Sequence, residues 1–189
     1  EAQVEEMKQG IRTRLENAQA IAREIRPAQA MKSFGGIWKG ISRAGSDWSA
    51  DTRITKEMAA KIGDGLTRLP EGFTVHPKLI KLLATRVEMS RGKVPLDWGG
   101  AEMLALGGLV LEGTPIRFVG QDAQRGTFSH RHSCLHDFNT GKKYYPLANL
   151  SPDQAPIIIV NTMLSELAVL GFEYGFSSAD PRNLVMWEA

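Results

Sequence analysis

The stretch from Ile157 to Trp187 restricts the fold more than any other part of the chain. Ile157-Ile-Ile-Val160 is a continuous apolar run, the pattern of a strand in a sheet covered on both faces. A helical pattern follows from about Ser165 to Gly175, and Asn183-Leu-Val-Met-Trp187 reads as another strand. Strand, helix and strand in so short a span form a βαβ unit, which requires a parallel sheet with a right-handed crossover. Upstream, Pro115-Ile-Arg-Phe-Val-Gly120 reads as a short strand, and Gly99 to Gly113, rich in small and apolar residues, as a buried helix. The fold class is α/β.

The N-terminal half follows other rules. Val4, Met7, Ile11, Leu15, Ala18, Ala22 and Ile25 recur at steps of three and four, which predicts one long amphipathic helix ending before Pro27. Its apolar seam is narrow and calls for a partner helix, while Gly10 within it costs about 1 kcal/mol relative to Ala. From Pro27 to Asp51 glycines punctuate Phe34, Ile37, Trp38, Ile41 and Trp48, an irregular connector whose apolar residues strap it to a neighbouring domain or line a ligand site. Thr55 can cap a short helix running through Lys61, and Pro77 occupies the first position of a second, with Leu79, Ile80, Leu82, Leu83 and Val87 on one side. The expected organisation is a helical and irregular linker over 1–53, a helical connector over 54–95 and an α/β part over 96–189.

Composition narrows the partners. With 42% hydrophobic and 23% charged residues among 189, the chain can bury a core, and disordered or low-complexity classes are excluded. A single cysteine, Cys134, rules out a disulfide-stapled scaffold and makes a reducing compartment, the cytoplasm, the default. No apolar run approaches the roughly 20 residues of a membrane span, and no membrane is expected as a partner. Residues 1–95 hold 17 Lys+Arg against 11 Asp+Glu, and 96–189 hold 6 against 10. The basic residues of the first half stand singly, without runs or interleaved aromatics, so no nucleic acid is expected as a partner.

Four local features carry candidate chemistry. Gly63-Asp64-Gly65 resembles the start of a thiamine diphosphate motif, but no apolar strand precedes it and the next Asn is Asn139; a helix C-cap and turn is the alternative. His130, His132 and His136 cluster around Arg131 and Cys134, which allows either a metal site or a hydrogen-bonding active-site loop; three metal-bound histidines would suit a hydrolase. Cys134 is a small core residue, or a thiol activated by its basic neighbours. Glu166 directly follows the apolar strand and starts the next helix, at the carboxyl end of a parallel strand where open α/β sheets hold their sites; the physics of the residue alone favours the plainer reading, a stabilising acid in the first turn of a helix. Glu173, Asp122 and Asp180 have weaker claims.

Several strings in order carry a resemblance. Gly120-Gln-Asp-Ala-Gln-Arg-Gly-Thr-Phe-Ser-His-Arg-His132, Leu164-Ser-Glu-Leu-Ala-Val-Leu-Gly-Phe-Glu-Tyr-Gly175 and Trp187-Glu-Ala189 resemble the thiamine-dependent decarboxylating component of 2-oxoglutarate dehydrogenase complexes. Asp97-Trp-Gly-Gly-Ala-Glu102, Leu111-Glu-Gly-Thr-Pro115 and Pro70-Glu-Gly-Phe-Thr-Val-His-Pro77 fit the same family, and Cys134 departs from it where a small aliphatic residue is expected.

The resemblance implies a transketolase-like pyrimidine-binding domain with an incomplete parallel sheet, preceded by a helical linker. It implies thiamine diphosphate as cofactor, with the diphosphate and Mg²⁺ bound by a domain outside this sequence, and no metal ligand within it. A homodimer follows, since two domains from different subunits build each site, and so do 2-oxoglutarate as substrate and a lipoyl-bearing succinyltransferase as partner. Glu166 takes the place of the acid that hydrogen-bonds the pyrimidine ring nitrogen and makes the cofactor's own amino group a competent base, with burial raising its pKa. Leu164 lies beside it in the cofactor-binding segment, Gln121 falls on an amide reaching toward the cofactor and substrate, and His132, with His130 behind it, is placed on the catalytic loop. A 2-oxoadipate dehydrogenase, or a non-catalytic dimerisation segment, remains open. A bacterial-type enzyme would be cytoplasmic and a eukaryotic one in the mitochondrial matrix. Glu1 is not an initiator Met and Ala189 closely follows a strand, so the sequence is expected to be a slice of a longer chain, inactive by itself.

Overall fold

The computed structural model describes residues 2–24 and 36–188. The chain divides into two compact units, Glu1–Ser42 and Arg43–Ala189. In the first, α1 (Ala2–Glu24) is the expected amphipathic helix. It buries none of its residues: Val4, Met7, Ile11 and Leu15 are all exposed. Ile25, Pro27 and Phe34 lie outside the described residues. A single 3₁₀ turn, Gly36–Trp38, follows, and Ile37 and Ile41 stay exposed.

The second unit begins with helices whose starts are set by side-chain caps. Thr55 Oγ1 accepts from the amide of Met58 at 3.1 Å and starts α2 (Lys56–Thr67), which runs past Lys61. Pro77 opens α3 (Pro77–Ser90), and Asp97 accepts from Gly100 N at 2.6 Å to start α4 (Trp98–Leu111). Then come β1 (Ile116–Gly120), a hairpin of β2 (Leu135–His136) with β3 (Lys143–Tyr144), a 3₁₀ turn at Pro146–Asn149, β4 (Ile157–Asn161), α5 (Glu166–Ala179) and β5 (Leu184–Glu188).

The sheet has the order β4-β1-β5 with every pair parallel, as the βαβ pattern requires. One face is packed. Ile116, Phe118 and Ile159 are buried there against Ile62 of α2, Met103 and Val110 of α4, with Leu184 and Met186 of β5 joining the cluster. Burying a side chain of this size contributes about 1.5–3 kcal/mol, which makes this the cluster that holds the layers together. The other face carries α5, tied down by a buried ion pair: Arg117 of β1 donates to both oxygens of Glu173 at 2.7 and 2.8 Å, with its guanidinium 4.9 Å from the Phe176 ring centre. Ile158 on this face remains 48% exposed, so full coverage of both faces, expected from the apolar run, holds for one only.

Gly63 and Gly65 do not form a C-cap and turn. They lie inside α2 and are buried because two neighbours press on them, Ser90 at the end of α3 on Gly63 and Leu150 on Gly65. Asp64 between them faces outward to Arg91 at 2.5 Å. A Cβ at Gly63 would stand 2.7 Å from the Cβ of Ser90, a contact that rotation of the hydroxyl cannot relieve. Gly63→Ala is therefore expected to destabilise the unit by about 1–3 kcal/mol despite its better helix propensity, as read by chemical denaturation. A stabilised variant would show that α2 and α3 sit further apart.

Candidate functional site

Gly120 is in register with Asn161 on one side and Glu188 on the other, so the three strands end level and present one carboxyl edge. Ligands of open α/β sheets collect at such an edge. The chain leaving β1 is stitched to the end of β4: Thr162 N donates to Gly120 O at 2.8 Å, and Gln124 N donates to Asn161 Oδ1 at 2.9 Å. Gln124 Nε2 also donates to Tyr145 Oη at 2.9 Å and Ile159 O at 3.0 Å.

Beside this knot opens a cavity of about 880 Å³, lined by Gln124, Arg125, His132 and Asn161 and by His76 and Lys78 at the start of α3. His132 is half-buried and lies at φ +50°, a conformation few non-glycine residues adopt. Burial first, then the positive charge of Arg86, push its pKa below the ordinary value, so at neutral pH the ring is uncharged and can both donate and accept. His130 faces another way, into a second cavity of about 620 Å³ with Trp98, Glu102 and Phe128. Its ring rests on Gly126, whose φ of +81° and missing Cβ make room, a Cβ there falling 2.6 Å from Nδ1.

His132 and His136 line the first cavity and His130 the second, so the three histidines do not converge. Among the described residues no group of three His, Cys, Asp or Glu side chains is arranged to hold a metal. The hydrolase alternative loses its geometry. Cys134 is buried, and burial pushes its thiol pKa up, which corrects the idea that its basic neighbours activate it. Its Sγ lies 3.7 Å from Nε2 of His136.

The loop that carries these residues owes its shape to two charges that sequence patterns did not single out. Asp137 collects amide hydrogens: Oδ2 accepts from Thr74 N at 2.6 Å, and Oδ1 from Thr140 N at 2.7 Å and Asn139 N at 3.0 Å. These bonds, the one from Thr74 foremost, lower its pKa from 3.8 to about 2. Because the folded value is depressed, this stabilisation is complete above the unfolded pKa and disappears as pH falls through about 2. Asp137→Asn is accordingly expected to flatten the acid limb of the stability curve between about pH 4 and pH 2, measured by thermal melts across that range. An unchanged acid limb would remove Asp137 from the loop's stabilising groups.

Arg131 is the second. It is 1% exposed and held from both sides. Nε and Nη2 donate to Glu102 of α4 at 2.5 and 2.9 Å, Nη2 and Nη1 donate to Glu188 at the end of β5, and Nη1 reaches Ala123 O at 2.8 Å. The guanidinium lies 4.3 Å from the centre of the Phe118 ring. Burial opposes the charge, but Glu188 and Glu102 outweigh it and hold the group above its ordinary range. Nothing in the local sequence marked Arg131; the only signal was a pair of acids far along the chain.

Glu166 is the first residue of α5, capped by Ser165, and it is exposed, as is Leu164, whose amide donates to Thr162 Oγ1 at 3.2 Å. Met163 and Leu167, close to it in sequence, are exposed as well. Gln121 is exposed at the end of β1. The fold thus brings Gln121, the His132 loop and Glu166 to one edge of the sheet, but neither Gln121 nor Glu166 lines the cavity that holds His132. Of the weaker acids, Glu173 is the buried partner of Arg117, Asp122 pairs with Arg125 at 2.5 Å, and Asp180 turns the chain after α5 by accepting from Arg182 N at 3.0 Å.

Comparison with known proteins adds what geometry cannot. Residues 94–189 match the pyrimidine-binding domain of transketolase. The chain is 49% identical over 156 residues to a 2-oxoglutarate dehydrogenase E1 component from Rickettsia conorii, covering 82% of this chain and 17% of that protein. It is 46% identical over 147 residues to the corresponding protein of Coxiella burnetii, covering 77% and 16%, and 40% identical over 190 residues to that of Brucella anthropi, covering 99% and 19%. The chain thus spans less than a fifth of the length of these relatives. The match extends over the whole parallel sheet, α4 and the loop between β1 and β4, and on that ground the chain belongs to the family of transketolase pyrimidine-binding domains.

Proposed function

We propose that this chain is the pyrimidine-binding half of the thiamine diphosphate site in a 2-oxoglutarate dehydrogenase E1 component. One observation carries the reading: in a domain of this family, Glu166 opens α5 just after the carboxyl end of β4, with the exposed apolar residues Leu164 and Leu167 close to it in the chain. An aminopyrimidine has apolar faces and a hydrogen-bonding edge, and an acid with apolar neighbours in the chain fits both. The Gly63-Asp64-Gly65 segment, packed inside a helix, does not fit a diphosphate, so the diphosphate and Mg²⁺ are assigned to another domain.

When bound, thiamine diphosphate supplies an acidic thiazolium carbon and an electron sink for decarboxylation. The protein's part is to hold protons and orient. Glu166 keeps a proton on its carboxyl group and donates it as a hydrogen bond to the ring nitrogen. That requires desolvation, since burial favours the neutral acid, and a second copy of the chain laid over Leu167, Leu170 and Phe172 would supply it. Gln121 orients the substrate through its amide, Leu164 supports the ring, and the uncharged His132 donates to or accepts from an oxygen of the substrate, with His130 behind it. The succinyl group then passes to a lipoyl-bearing succinyltransferase, in the cytoplasm of a bacterium or the matrix of a mitochondrion.

The full-length protein tests this directly. Decarboxylation of 2-oxoglutarate is expected only with thiamine diphosphate and Mg²⁺ present, with kcat/KM at least tenfold above that for 2-oxoadipate, about the discrimination one methylene allows. A preference for 2-oxoadipate hands the chain to that sister enzyme, and turnover without the cofactor overturns the reading.

A further inference from the structure

We propose that Arg131 is a positioning residue: its double clamp onto Glu102 and Glu188 fixes the neighbouring His132 at the working edge of the sheet. The proposal rests on the reading that His132 acts at the thiamine site. It starts from an oddity of the backbone, because His132 sits at φ +50° and Ser129, three residues earlier, at φ +55°. Such conformations persist only where the surroundings over-determine them.

Here the surroundings are charges. Arg131 points inward and forms two-pronged pairs with acids on α4 and at the end of β5, so its Cα cannot shift without breaking charge-assisted bonds to two elements. Arg86 of α3, itself 2% exposed, donates to the carbonyl of Arg131 at 2.6 Å and to that of His130. The amides of Arg131 and His132 both donate to Arg125 O, at 2.9 and 3.0 Å, and Ser133 N donates to Gln124 O at 2.8 Å. The result is a loop whose middle residue is locked inward while its neighbours are turned outward, His130 to one cavity and His132 to the other. A side chain so aimed loses turnover if displaced by even an ångström, on the order of 10²-fold.

The test is a double-mutant cycle in the full-length protein, with Arg131→Met made together with Glu102→Gln and Glu188→Gln so that no buried charge is left unpaired. In the wild-type background this triple change is expected to lower kcat by about 10²-fold, leaving KM within about twofold. In a His132→Ala background it is expected to lower kcat by less than about threefold further, because the residue it positions is gone. Losses that multiply across the two backgrounds overturn the positioning role and leave His132 as a functional residue. A His132→Ala variant with wild-type turnover overturns the reading of His132, and the proposal with it. Should the triple variant fail to fold, Arg131→Lys serves in the same cycle, since a lysine keeps the charge but cannot bridge both carboxylates two-pronged.

Discussion

Glu166→Ala in the full-length protein is expected to cut turnover by about 10²–10⁴-fold, the usual scale of a group that governs a proton in the reaction. The domain itself should hardly notice. Glu166 is exposed on this chain and makes only the first-turn interaction of α5, worth a few tenths to about 1 kcal/mol, so thermal unfolding of the variant should lie close to wild type. Glu166→Gln separates geometry from proton: an amide can still donate to a ring nitrogen, but it cannot exchange its proton, so it should recover binding of thiamine diphosphate more than turnover. Steady-state decarboxylation and cofactor titration read the two quantities apart. Wild-type turnover in Glu166→Ala would sink the assignment of the acid, and a large loss of stability would mean the residue is structural.

The largest effect on stability is expected at Arg131. Arg131→Met alone leaves Glu102 and Glu188, each about 30% exposed at the side chain, facing each other across an apolar gap without their shared cation. Removing one member of a buried ionic cluster costs about 3–5 kcal/mol, because the partners lose their compensation and not because the pairs themselves contribute that much. The same logic predicts that Arg131→Met with both acids made Gln recovers most of the loss. Urea unfolding of the three proteins, wild type, single and triple variant, checks both statements. A single variant within about 1 kcal/mol of wild type would mean that water reaches the carboxylates.

What the sequence revealed, and what it concealed, follows from the range of each interaction. The cap at Thr55, the proline at the start of α3 and the strand, helix and strand of the C-terminal part are encoded within a few residues, and all are visible as patterns. Gly63 misled because a glycine that ends a helix and a glycine that lets another helix approach look the same in one dimension. The histidine cluster misled for a similar reason: alternate residues share a side only in a regular strand, and this loop reverses its backbone at Ser129 and His132. The clamp on Arg131 was invisible because Glu102 and Glu188 lie 29 and 57 residues from it. Glu166 was legible as a residue and as a place in the fold, but its proposed role came from resemblance, since an exposed acid in the first turn of a helix has ample reason to exist without any chemistry.

The strand order β4-β1-β5 also sets the order in which the molecule can be made. The middle strand is the first of the three to leave the ribosome, and it waits for one neighbour through the whole loop that carries the histidines and for the other until Glu188 has been synthesised. Until then it presents an unpaired backbone edge of branched and aromatic residues, Ile116, Phe118 and Val119, the kind of edge that recruits strands from other chains. Nascent chains stalled between Asn161 and Leu184 are therefore the ones expected to need a chaperone, and slow pairing across these long separations should limit the folding rate of the domain.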